Sequence, residues 1–308
     1  MAGVDHGGGI DAAAARWGGA RGDWLDLSTG INPRPYPLPA FGGDIWTALP
    51  DRAAFAEAEA AARSFWRVPD GAAVLAAPGA SALIARLPAL RPAGRVSIAG
   101  PTYNEHARAF AANGWQVVEG AADAAVVVHP NNPDGRFQAA PDAAFSVIDE
   151  SFCDICPDES QIAQAGQAGT VVLKSFGKFW GLAGMRLGFA IGDPVLLARL
   201  EPMIGPWAVS GPALVTAAKA LRDEAWAAAT RARLAADAAR LDALMLRAGV
   251  SQAGGTALFR LYDVGDAAAW QERLARHRIL GRIFPYSARW LRLGLPDGDG
   301  WARLEAAL

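Results

Sequence analysis

A chain of 308 residues is long enough for one large domain or two moderate ones. Apolar residues make up 52% of it and the formal net charge is −2, so a sizeable core is available and no basic face points to a nucleic-acid partner. Apolar runs such as Ala124–Val128 are too short to span a bilayer. The opening MAGVDHGGGIDAAAARWGG lacks the basic flank and apolar stretch of a secretory signal, so a soluble cytoplasmic protein is expected. The two cysteines, Cys153 and Cys156, are spaced C-x-x-C with no second pair, and His6, His106, His129 and His277 show no ligand spacing. Free thiols and no metal site are expected.

Residues 1–40 are rich in Gly and Pro, from DHGGGI to STGINPRPYPLP. They read as an extended arm with one short helix near 11–17. Residues 51–65 are rich in Ala and Glu and helical in pattern, with Pro50 and Asp51 marking the start. From Ala73 the chain alternates short apolar strands with helices. AVLAA is a strand, and Gly79-Ala80-Ser81 turns into a helix through Leu87. RVSIAG is a strand, followed by the turn and helix of PTYNEHARAFAANG. WQVVEG, AAVVVHP, FSVIDE, TVVLKSFG and LGFAIG are further strands. This is the α/β alternation of a mostly parallel sheet, in which sites form outside the carboxyl ends of strands.

The character changes after Asp193. Residues 211–248 carry an Ala/Leu/Arg run with helical periodicity, read as two helices or one bent one. Residues 249–255 read as a break. TALFRLY, a helix over 267–277, RILGRIF and WLRLGL form a smaller α+β unit. The expected division is an arm over 1–40 that packs with the small domain, a large domain over 41–210, and a long helix with the small domain over 211–308.

The stretch SFGKFWGLAGMRLG, residues 175–188, carries the chemistry. Lys178 lies among Gly177, Gly181, Gly184 and Gly188, with Ser175 before it and Arg186 after it. A lysine on a tight small-residue loop, with a hydroxyl and a guanidinium close by, suits an amine that condenses with an aldehyde while its neighbours hold a phosphate. That is the chemistry of pyridoxal 5'-phosphate. Such a cofactor needs an acid to keep its ring nitrogen protonated, and Asp149 at the end of FSVID is the candidate. Its phosphate needs donors, which Gly79, Ala80 and Ser81 at a helix start, Ser175 and Arg186 supply. Tyr103 in PTY offers a stacking face, and Asn132 in HPNNPDG a donor to the ring oxygen.

On SFGKFWGLAGMRLG, HPNNPDG and IDESF, the chain resembles the fold type I pyridoxal-phosphate enzymes of the class I/II aminotransferase family. It falls in the branch that includes histidinol-phosphate aminotransferase. The likeness covers nearly the whole chain and implies an aspartate aminotransferase-like α/β large domain, a smaller α+β domain and a homodimer. HGG at His6–Gly8, STGINP, GLAGMRLGFAIG and PWAVSGPA are most similar to the threonine-phosphate decarboxylases of cobalamin biosynthesis. That resemblance implies decarboxylation of L-threonine O-3-phosphate to (R)-1-aminopropan-2-yl phosphate. It puts Asn32 and Arg292 at the substrate carboxylate, and His6, with Gly7, and Arg282 at the substrate phosphate. Lys178 and Asp149 would be catalytic, and Asn132 would also face substrate. An aminotransferase acting on histidinol phosphate or a similar phosphorylated amine needs the same residues, and a non-catalytic regulatory protein of this fold is a remoter reading. Two positions depart from the family pattern. Phe152 stands where a tyrosine usually bonds the cofactor oxygen. Leu49-Pro50-Asp51 stands where Tyr-Pro-Asp usually sends a tyrosine to the partner subunit's cofactor phosphate.

Overall fold

A computed structural model of the chain describes residues 6–308. The first elements are α1 (Ile10–Trp17), β1 (Leu25–Asp26), α2 (Arg52–Phe65), β2 (Ala73–Ala77), α3 (Ala80–Arg86) and β3 (Arg95–Ser97). Next come α4 (Asn104–Ala112), β4 (Gln116–Val118), β5 (Ala124–Val128), β6 (Phe145–Asp149), β7 (Thr170–Ser175) and β8 (Gly188–Gly192). Three helices follow, α5 (Pro194–Ile204), α6 (Gly211–Ala220) and α7 (Glu224–Arg247). The chain ends with β9 (Ser251–Thr256), β10 (Phe259–Asp263), α8 (Ala267–Arg276), β11 (Ile279–Leu280), β12 (Arg282–Phe284), β13 (Ser287–Gly294) and α9 (Gly300–Ala307).

The described residues divide into two units. One holds Pro35–Asn132 and Arg136–Ala229, and the other holds the residues up to Arg34, Pro133–Gly135 and Thr230–Leu308.

The first of these is built on a seven-stranded sheet in the order β2-β8-β7-β6-β5-β3-β4. All neighbours are parallel except β8, which runs antiparallel to β2 and β7. The sheet is therefore mostly parallel, as its alternation with helices implied. Every residue of β6 and β8 is buried, so neither strand shows the alternation of a sheet with one face in solvent. The helix α2 starts where Asp51 accepts the Ala54 N–H at 3.0 Å, a side-chain cap. Beneath the loop after β7, Trp180 is fully buried and stacks on Phe176 at 5.1 Å and on Trp226 at 5.3 Å between centroids. This aromatic floor fixes the loop from below.

One charged cluster lies inside this unit. Lys174 on β7 donates to Glu150 Oε2 at 2.5 Å and lies 3.8 Å from Asp154 Oδ1, with all three side chains buried. Asp154 also accepts the indole N–H groups of Trp66 at 2.8 Å and Trp180 at 3.0 Å. Burial alone would lower the Lys174 pKa, but the charges of Glu150 and Asp154 outweigh it and raise it. Removing one partner of such a buried set leaves the others uncompensated. Lys174→Met is expected to destabilise the protein by about 3–5 kcal/mol, read as a lowered urea midpoint.

The second unit carries an antiparallel sheet in the order β12-β13-β10-β9 and a short parallel pair, β1 with β11. Its edge strand β9 replaces the break expected over 249–255. The glycines there serve close approach rather than a turn, since a Cβ on Gly254 would overlap the Asp134 carbonyl. The register with β10 also shifts between Leu261 and Tyr262, a bulge that disguises the strand's period of two. No helix among the described residues is long and apolar enough to cross a membrane.

Candidate active site

At the carboxyl ends of the central strands lies a cavity of about 130 Å³. Among its lining residues are Lys178, Asp149, Asn132, Tyr103, Ser175 and Arg186, and Ala80 and Ser81 at the start of α3 also line it. The fold brings these together from five separate stretches of chain. Lys178 follows β7 by three residues, and its loop closes with Gly181 N–H donating to the Lys178 carbonyl at 3.1 Å. Its Nζ stands 5.2 Å from the centre of the Phe152 ring. Phe152 thus lines the site but brings a face where a tyrosine would bring a hydroxyl.

Asp149 ends β6 and is 2% exposed. Its Oδ1 accepts the Ser151 N–H at 2.9 Å and the Ser151 hydroxyl at 2.5 Å, and its Oδ2 lies 2.8 Å from His106 Nε2. A carboxylate only accepts, so the His106 proton sits on Nε2 and points at Asp149. Burial would raise the Asp149 pKa, but the bonds from His106 and Ser151 outweigh it and hold it below 3.8. The carboxylate is therefore charged at neutral pH. The stabilisation it contributes is complete above pH 3.8 and is lost as pH falls through the lower folded value. We expect the urea midpoint to drop on acidification below that point, and to drop less steeply in Asp149→Asn.

His106 was not singled out from the sequence. Its signal was weak: a histidine three residues after Tyr103, on the first turn of α4, whose importance comes from a partner 43 residues away. Tyr103 packs its ring edge-on to His106 at 6.1 Å between centroids. Burial, then the negative charges of Asp149 and Glu105, push its pKa up to about 12, so it stays a neutral phenol. Arg186 adopts a left-handed backbone with φ 54°, an uncommon state for a side-chain-bearing residue, and donates to the Ala183 carbonyl at 3.0 Å. A Cβ on Gly79 would lie 2.7 Å from Arg186 Nη2, and Gly79 itself has φ +87°. The positive φ favours glycine there, and the missing side chain leaves the guanidinium its place against the start of α3.

The donor set fits pyridoxal phosphate. It supplies one amine, one carboxylate kept ionised, a cation with two serine hydroxyls, an aromatic ring and an amide, all on one cavity. The chain has only three lysines. Lys174 is buried in its ion cluster and Lys219 is exposed on α6, which leaves Lys178 as the lysine of the cavity.

The other expected substrate residues, His6, Gly7, Asn32, Arg282 and Arg292, belong to the second unit. His6 and Arg282 line one cavity of about 310 Å³ there, together with Arg16 and Ser28. Arg292 is buried on β13, donates to the Ser28 carbonyl at 2.7 Å and lies 5.1 Å from the Phe259 ring centre. Burial, then the charge of Arg282, lowers its pKa to about 10, still protonated at neutral pH. Asn32 is buried, and its Oδ1 accepts from Arg233 Nη2 at 2.8 Å and from the Arg34 N–H at 3.0 Å. The side-chain carbonyl of Asn32 is thus engaged within this unit.

Residues 126–300 match the family described as aminotransferase class I and II. The chain is 44% identical to a threonine-phosphate decarboxylase from Sinorhizobium sp, over 99% of this chain and 97% of that protein. It is 42% identical to a threonine-phosphate decarboxylase from Pseudomonas aeruginosa, over the same shares. Among solved structures, the histidinol-phosphate aminotransferase from Sinorhizobium meliloti in complex with pyridoxal-5'-phosphate superposes with a TM-score of 0.82. That match has 17% identity and covers 97% of this chain and 93% of that one.

Proposed function

Since the chain belongs to the class I and II aminotransferase family, we propose that it is a pyridoxal-phosphate enzyme that decarboxylates L-threonine O-3-phosphate to (R)-1-aminopropan-2-yl phosphate. On the same resemblance the step belongs to cobalamin biosynthesis. The observation that carries the reading is the full-length identity with two threonine-phosphate decarboxylases. The donor set of the first unit's cavity supports its cofactor part.

When bound, the cofactor supplies an aldehyde that takes up the substrate amine and a ring that withdraws electrons from the bonds of the α-carbon. Lys178 would hold that aldehyde until substrate arrives. Its Nζ would also be the group that returns a proton to the α-carbon. The Asp149 carboxylate would keep a proton on the ring nitrogen, and His106 and Ser151 keep Asp149 charged for that task. Ser81, Ser175 and Arg186, with the backbone of Gly79 and Ala80, would bind the cofactor phosphate. Tyr103 would offer the ring a stacking face, and Asn132 a donor to its oxygen. Asn32 and Arg292 would take the substrate carboxylate, while His6, Gly7 and Arg282 would take its phosphate. Gripping the substrate at both ends would fix its rotation about the α-carbon, and so favour decarboxylation over amine transfer.

A soluble homodimer is part of the reading. Leu38, Trp46, Leu49 and Trp207 are 58%, 72%, 66% and 57% exposed, an apolar share of surface that a second copy would cover.

The reading is tested by incubating the yellow holoprotein with L-threonine O-3-phosphate and no keto acid. Release of one carbon dioxide per substrate is expected. Turnover that appears only on adding 2-oxoglutarate would assign it to amine transfer, and a protein that takes up no pyridoxal phosphate would contradict both.

A further inference from the structure

Within the second unit, three groups meet at Ser28. Gly8 of the N-terminal arm donates its N–H to Ser28 Oγ at 2.7 Å. The same hydroxyl donates to Asp26 Oδ1 at 2.6 Å, which also accepts the Ser28 N–H at 2.8 Å. The single hydroxyl proton is thus committed to Asp26, and a lone pair is aimed at the arm. On its other side, the Ser28 carbonyl accepts from Arg292 Nη2 at 2.7 Å. Ser28 is 2% exposed and follows β1, whose Asp26 pairs with Leu280, two residues before Arg282. The arm lies so close that a Cβ on Gly7 would overlap the Ser28 carbonyl oxygen, the very atom that holds Arg292. His6, Ser28 and Arg282 are all in the wall of the 310 Å³ cavity.

We propose that Ser28 is a specificity-determining positioning residue, which holds the His6-bearing arm through its hydroxyl and Arg292 through its carbonyl as one recognition surface. The proposal rests on the reading that this unit recognises a phosphorylated amino acid. One residue then ties the group assigned to the substrate phosphate to the group assigned to its carboxylate. The distance between the two anionic ends that the protein accepts is set by Ser28 and its Asp26 brace. An arm loosened from Ser28 keeps His6 in the chain but lets it sample many positions, and binding weakens by the cost of ordering it again.

The test measures the Kd of L-threonine O-3-phosphate for the holoprotein by calorimetry, with kcat alongside. Ser28→Ala removes the hydroxyl and keeps the carbonyl, and its Kd is expected to rise about tenfold, with kcat falling less than about threefold. Ser28→Cys keeps the side chain's size but replaces the oxygen acceptor with a weak sulfur one, and a smaller rise is expected. The loss is expected to follow acceptor strength, with Ser28→Ala weaker than Ser28→Cys and Ser28→Cys weaker than wild type. An unchanged Kd in either variant would overturn the proposal. A purely structural role would lower the melting temperature and leave the Kd of the folded fraction unchanged. If Ser28→Ala fails to fold, Ser28→Cys decides by itself. Wild-type protein that binds no threonine phosphate contradicts the functional reading, and this proposal with it. Wild type that binds, with variants that bind equally well, contradicts the role of Ser28 alone.

Discussion

Replacing Lys178 by alanine is expected to lower carbon dioxide release from L-threonine O-3-phosphate by at least about 10⁴-fold, with little change in melting temperature. The size follows from the double duty assigned to one atom. On the proposed reading Nζ would both hold the cofactor and return the proton to the α-carbon, and the other two lysines are not placed to take over either task. Lys174, four residues earlier, is 2% exposed and bound to Glu150 at 2.5 Å. Lys219 is exposed on α6 and does not line the cavity. The fold survives because the buried cluster of Lys174, Glu150 and Asp154 and the stacking of Trp180 on Phe176 and Trp226 hold the loop without the Lys178 side chain. Single-turnover carbon dioxide release and a thermal melt check the two halves. A variant that keeps a tenth of the wild-type rate would remove Lys178 from the reaction.

Asp149→Ala is the second large effect, about 10³-fold in kcat. The carboxylate is buried, ionised and fixed by His106 at 2.8 Å and Ser151 at 2.5 Å, so its charge is preorganised rather than recruited. The alanine variant leaves the His106 donor buried without its acceptor, which costs about 1–3 kcal/mol of stability as well. Here, unlike Lys178→Ala, rate and urea midpoint fall together. His106→Leu separates the two contributions. It leaves the carboxylate in place but removes the first of the bonds that lower its pKa, so kcat falls less than in Asp149→Ala. Equal rates for wild type and Asp149→Ala would exclude Asp149 from the site.

The lysine loop was legible because its information is local. Lys178, the glycines around it, Ser175 and Arg186 are all within one strand end and one loop, so spacing alone carries the pattern. The strands β5 to β8 were legible for a related reason, since each carries a short run rich in apolar residues whose side chains are mostly buried. What escaped was set by contacts between distant residues. His106 reads as any helix histidine until Asp149 is opposite it. Nothing in the sequence marks Lys174, four residues before Lys178, as a structural lysine, and its buried contacts with Glu150 and Asp154 show that it is one. The strand β9 was hidden by glycines that are there for the approach of Asp134. The helix α5 was overlooked despite a signal that was present: Asp193 accepts the Val195 N–H at 2.8 Å, and Pro194 takes the first helical position.

Decarboxylation makes a claim about atoms that amine transfer does not share. The bond from the α-carbon to the carboxylate breaks, the amino group stays, and one proton is added at that carbon. The decisive measurement is the NMR spectrum of the product formed from L-threonine O-3-phosphate in heavy water with no keto acid present. The account predicts 1-aminopropan-2-yl phosphate in equal amount to the carbon dioxide released, with a single deuterium at C1 in one configuration. A product that has lost its amino group and kept its carboxylate, formed only when a keto acid is supplied, would contradict it.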